Sequence, residues 1–326
     1  MSDNANQLTR VQARHATTIS FGRRAQFVLK EVWKYRLSYL FIAPFLTAFL
    51  LFILIPVLVA FGLSFTYYNT IQPPTFSGWN NFEYLLSQDV LFLKYALPNT
   101  LTFSLIVGPG GYIAAFILAW LIAQIPDRWR LWFVLAFYAP SLTGGVVMNI
   151  IWLPMLSGDR IGYLNSILLK FGLIDEPQLW VLDPKYLMTS MIIVTMWSSM
   201  GVGFLALLAG ILNVDKLLYE AARIDGIKSR LQEIWYITIP YMKPQMLFAS
   251  VMSIVGAFKA GQIGEQLSGM KPTPQYAGHT IHNHITDYGL VRFEMGYAAA
   301  LSIVLLFMIF FFNRLSWRLF GSKGDE

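Results

Sequence analysis

The stretch Asn213–Pro240, NVDKLLYEAARIDGIKSRLQEIWYITIP, decides how the rest of the chain is read. It is polar and charged and lies between two strongly apolar runs, yet it carries helix patterning with a break at Asp225-Gly226. Asp215 can cap a first helix by accepting hydrogen bonds from its free N–H groups, and Gly226 can supply the left-handed residue that ends it. Ser229 with Gln232 three residues on forms a capping box for a second helix, which should stop near Pro240. The expectation is helix, turn, helix, a docking element in place of a linker.

The flanks set this element in a membrane. Of 326 residues, 56% are apolar and 13% charged, more lopsided than a soluble domain of this length. Six runs are long enough to cross a hydrocarbon core, at about 40–65, 100–125, 131–153, 187–212, 243–264 and 297–320. Backbone polar groups in lipid must find partners within their own segment, so the fold class expected is an all-α integral membrane protein. The runs do not alternate, which argues against a β-barrel. Cysteine is absent, so there are neither disulfides nor thiolate metal sites. The first run begins too far in and is too long for a signal peptide, and reads as a retained span.

The formal charge of +6 is distributed by side. Arg10, Arg14, Arg23, Arg24, Lys30, Lys34 and Arg36 precede the first run; Arg128 and Arg130 follow the second; Arg314, Arg318 and Lys323 close the last. Lys216, Arg223, Lys228, Arg230 and Lys243 belong to the opening stretch and its border. The positive-inside rule then places both termini and residues 213–240 in the cytoplasm. That arrangement explains the basic residues without nucleic acid. Residues 1–36 read as a basic cytoplasmic tail with an interfacial helix at Ala25–Arg36, residues 37–320 as the transmembrane domain, and 321–326 as a cytoplasmic tail.

Polar residues at membrane depth are candidates for a solute path. Asn149 and Trp152 end the third run, and Trp197 and Ser198 open a Ser/Gly cluster midway through the fourth. Lys259, Gln262 and Glu265 recur every three residues in the fifth and so lie roughly along one face. Each has a plainer reading as helix packing, or as snorkelling in the case of Lys259. His279, His282 and His284 match no tight metal spacing, and no metal site is expected. No P-loop, HExxH or GxSxG occurs, so no catalytic residue is assigned, and uphill transport would need an ion gradient or another subunit.

Tyr219-Glu220-Ala221-Ala222-Arg223-Ile224-Asp225-Gly226, followed by Ile237-Thr238-Ile239-Pro240, resembles the EAA loop of permease subunits of bacterial ABC importers. The likeness is greatest to the carbohydrate-uptake type that includes the maltose permeases, and FSGWNNFEYLL, NTLTFSL, SIVGAFK and RFEMGYAAALS fall where that family places similar words. The resemblance implies the type I importer permease fold in the bacterial inner membrane, with coupling helices that dock on an ATPase. Glu220, Ala221, Ala222, Asp225, Gly226, Ile237 and Pro240 are the coupling residues it implies. It further implies a second homologous permease, two ATP-binding subunits that hold ATP and Mg, and an extracytoplasmic solute-binding protein. The substrate implied is a carbohydrate; a polyol or glycerol phosphate fits the path residues almost as well. A stand-alone secondary transporter or channel is the rival reading. The family usually has nine residues between the Gly and the Ile of its closing motif; here ten separate Gly226 from Ile237, which would turn the second helix by about 100° unless absorbed locally.

Overall fold

The computed structural model describes residues 34–143 and 145–321, the side chains of 145–149 excepted. The basic tail and most of the expected interfacial helix at Ala25–Arg36 lie outside the described residues. The chain forms two compact units, residues 1–59 and 60–326. In the first, the helix beginning at Arg36 buries no side chain, and Phe41, Phe45 and Phe52 all project outward. A helix apolar all round, as this one is, suits lipid or another protein.

Among the described residues, four helices are long and apolar enough to cross a membrane: α1 Arg36–Leu63, α3 Phe92–Ala123, α11 Lys243–Ser268 and α13 Met295–Phe320. A bent pair, α7 Pro184–Trp197 and α8 Val202–Leu212, makes a fifth if counted as one span broken by 45°. Shorter helices join them: α2 Asn80–Ser87, α4 Asp127–Leu142, α5 Gly145–Met155, α6 Tyr163–Lys170, α9 Lys216–Ile224, α10 from Arg230 to Tyr241, and α12 Ile281–Thr286. The only strands among the described residues pair antiparallel, Thr66 opposite Phe76 and Tyr67 opposite Thr75.

The third expected run is not one helix. Thr143 has extended backbone (φ −76°, ψ 125°) and parts α4 from α5, its N–H and Oγ1 both donating to the Pro140 carbonyl. Pro140, three residues before the break, and Gly145 at the start of α5 favour it, since proline frees a carbonyl and glycine is a weak helix former.

Three of the long or functional helices contain a π-helical turn placed one residue before a proline. Ile55 N–H reaches Leu50 O just ahead of Pro56, Leu97 N–H reaches Phe92 O ahead of Pro98, and Ile239 N–H reaches Ile234 O ahead of Pro240. A proline ring clashes with the carbonyl four residues back, and the wider turn makes room for it at the cost of one extra residue.

The core of the second unit forms where α3, α8 and α11 meet, with Ala115, Ala119, Phe204, Leu207, Met246 and Ala249 buried together. Small residues let these helices approach. A Cβ at Gly203 would lie 3.3 Å from Ala249 Cα, and one at Gly111 would lie 3.1 Å from Ser199 Oγ. Ser253 Oγ donates across to Gly108 O at 2.6 Å.

At the end of the bundle away from residues 213–240, a buried polar chain ties three segments together. Asp89 Oδ2 accepts from His284 Nε2 (2.8 Å) and Tyr297 OH (2.6 Å), Oδ1 accepts from Phe92 N–H, and His284 Nδ1 meets His279 Nε2 at 3.1 Å. Burial alone would raise the Asp89 carboxyl, but the hydrogen bonds from His284, Tyr297 and Phe92 outweigh it and hold it at about 2. Burial lowers His279 to about 4, with His284 adding to the effect. These two histidines are thus engaged in packing and hydrogen bonding.

Candidate functional site

Residues 213–240 fold as two capped helices. Asp215 accepts from Leu217 N–H at 2.9 Å and caps α9. At its other end Gly226 sits at φ +95°, with Gly226 N–H bonded to Arg223 O and Ile227 N–H to Ala222 O. That pair of bonds is a Schellman motif, which requires a left-handed residue at Gly226. Ser229 Oγ accepts from Gln232 N–H while Gln232 Oε1 accepts from Ser229 and Lys228 N–H, and α10 starts there. The helix continues through the π turn Ile234–Thr238 to Tyr241, just past Pro240. A π turn holds one residue more than an α turn, so this one has room for the tenth residue between Gly226 and Ile237.

Side chains lock the two helices to each other. Tyr219 OH and Thr238 Oγ1 are 2.9 Å apart. Glu233, 7% exposed, pairs with Arg223 of α9 at 3.2 Å and Arg230 of its own helix at 2.9 Å. Ala222 is buried against the chain, whereas Glu220, Ala221, Asp225, Gly226 and Pro240 are exposed and Ile237 is half-buried. Leu217, Ala221 and Ile224 share one outward face of α9, and Ile224 is 88% exposed. Leu231 (75%) and Trp235 (69%) continue an apolar surface on α10. Solvent-facing apolar residues on so charged a segment are what a partner would cover.

The second feature is a cleft at the break between α7 and α8, in which hydroxyls are set among apolar side chains such as Val107, Phe204, Leu207 and Met252. Ser198, Ser199 and Gly201 line a cavity of about 310 Å³ with Gly111, Ser141, Thr195 and Ser253. Thr195, Ser198 and Ala260 also line an adjoining cavity of about 250 Å³, where they meet Thr143, Lys259, Gln262 and Gln266. Ser198, Lys259 and Gln262 of the expected path therefore surround one cleft. Trp197 and Trp152 contact each other edge to face, centroids 5.5 Å apart, and Trp152 packs on the apolar core. Glu265 does not share the face of Lys259 and Gln262: the tight 3₁₀ turn Ala260–Gln262 intervenes, and Glu265 lies near Lys271, 4.0 Å away. Asn149 falls among the side chains that are not described. Tyr219, Arg223, Glu233 and Thr238 complete the helix pair and Gln266 the cleft; the two pairings join residues nineteen and ten positions apart in different helices, beyond the reach of a local signal.

Residues 108–317 match the family described as binding-protein-dependent transport system inner membrane component. The chain belongs to this family. The permease is 32% identical to the arabinooligosaccharides transport system permease protein AraP of Bacillus subtilis over 88% of its own length and 90% of that protein's. It is 31% identical to the lactose transport system permease protein LacF of Rhizobium radiobacter, over 83% and 90% respectively. Among solved structures, a chain of a bacterial ABC transporter that imports the acidic polysaccharide alginate superposes on it with a TM-score of 0.72 at 26% identity, covering 90% of the permease and 99% of that chain. The fold is thus the type I ABC importer permease fold.

Proposed function

We propose that this permease is one membrane subunit of an ATP-driven carbohydrate importer, with residues 213–240 as its coupling element to an ATPase. One observation carries the reading: a pre-locked helix pair presents an exposed apolar face, Leu217, Ala221, Ile224, Leu231 and Trp235, beside the exposed Glu220. A rigid projecting element can transmit force from a subunit that closes on ATP, whereas a flexible loop cannot. ATP and Mg belong to two such subunits, and a second homologous permease completes the path. An extracytoplasmic binding protein delivers the solute, in keeping with the family's description. Six crossings with cytoplasmic termini in the inner membrane follow if α4 and α5 together make a broken span; the basic flanks support that sidedness. The cleft beside Ser198, Lys259 and Gln262 is the solute path, and the sugar relatives favour a carbohydrate there.

Gly226→Pro removes the left-handed turn, and Glu220→Lys reverses a charge on the docking face. In proteoliposomes holding the assembled importer, each should reduce ATP-driven uptake at least tenfold while the permease remains inserted at wild-type level. Normal uptake by both variants would refute the coupling role.

A further inference from the structure

Lys259 ends the first part of α11 and lines the cleft with Thr143, Thr195, Ser198, Gln262 and Gln266. Among the described residues no Asp or Glu lines either cavity and Lys259 makes no ion pair. The hydroxyls beside it have already spent their protons. Thr143 Oγ1 donates to Pro140 O, Thr195 Oγ1 to Met191 O, and Ser198 Oγ to Thr195 O. They therefore offer lone pairs to the cleft, while the Lys259 ammonium can only donate. Lys259 is exposed to this cleft, and its attraction for an anion grows as an entering solute excludes water.

A solute that bears several hydroxyls and one anionic group satisfies both walls. Its hydroxyls donate to Thr195 and Ser198, and its anionic group meets Lys259 and the side-chain amides of Gln262 and Gln266. Because Thr195 and Ser198 line both cavities, the larger one continues from the charge with the further hydroxyls of Ser141, Ser199 and Ser253 set among apolar side chains, on which sugar ring faces can pack. We infer that this cleft selects an acidic polyhydroxylated solute and that Lys259 is the residue that reads its charge, an inference that rests on the carbohydrate-import reading. A uronic-acid carboxylate and a polyol phosphate carry the same chemistry.

Saturation-transfer NMR on the assembled importer, in a non-glycosidic detergent, tests this with trigalacturonate, galactotriose and glycerol 3-phosphate as probes. At least one anionic probe should bind about tenfold more tightly than the neutral galactotriose, and which one does separates carboxylate from phosphate. Lys259→Met should abolish that preference and Lys259→Arg should keep it. Equal binding of neutral and anionic probes, or a preference that survives Lys259→Met, overturns the inference; the former is the result expected if a partner subunit's carboxylate already neutralises Lys259. ATP-driven uptake of neutral sugars without an anionic preference would sink the charge reading and leave carbohydrate import standing. Uptake of glycerol 3-phosphate without any sugar would sink carbohydrate import and leave the charge reading standing, and uptake of neither would sink both.

Discussion

Asp89 and His279 carry an acid sensitivity that follows from where they sit. His279 is held at about 4 against an ordinary 6.5, so the unfolded chain takes up a proton that the folded one refuses as pH drops below 6.5. Asp89 is held at about 2 against 3.8, and its contribution is present above 3.8 and lost as pH falls towards 2. The two signs agree, and acidification weakens the end of the bundle that they join. The melting temperature of the purified permease should be level near pH 7, fall between pH 6.5 and 4, and fall further below that. A melting temperature unchanged from pH 7 to 4 would contradict the assignment of His279. None of this was legible in the sequence: the Asp89–His284 bond spans 195 positions, and a histidine trio reads as loop chemistry until the fold brings its partner. Lys259 was legible, because a charge within an apolar run is conspicuous by itself.

Between α9 and α10, local signals and tertiary bonds divide the work. The caps at Asp215, Gly226 and Ser229 were readable because each depends only on neighbours within a few positions. The π turn was not, although Pro240, the feature it shares with the turns ahead of Pro56 and Pro98, was in view. The break at Thr143 was likewise hidden inside a run whose apolar content suggested a single span. What holds α9 to α10 is Glu233, buried between Arg223 and Arg230. Glu233→Ala removes an inter-helix tie and leaves two half-exposed guanidinium groups unpaired, a cost of about 1 kcal/mol after solvent screening. The expected outcome is a permease that inserts normally but retains its ATPase partner several-fold less well in a pull-down. Retention at wild-type level would mean that the Tyr219–Thr238 contact alone fixes the helix pair.

As a whole molecule, the permease is built to be incomplete. Its first helix buries no side chain, α9 and α10 expose Ile224, Leu231 and Trp235, and its cleft carries a cation with no counter-charge of its own among the described residues. Apolar content and charge asymmetry disclosed a membrane protein with one basic side, and the absence of a nucleotide loop pointed to an outside source of energy. The packing of α3 against α8 and α11 was foreshadowed only by glycines, since small residues announce close approach without naming the partner. The central claim is that energy enters through residues 213–240 from a separate ATPase. Solute uptake should therefore be measured in proteoliposomes holding the permease alone, the permease with its partner permease, and the full set with ATPases and binding protein. Only the full set supplied with Mg-ATP should accumulate solute; accumulation by the permease alone, driven by a proton or sodium gradient without ATP, would contradict the account.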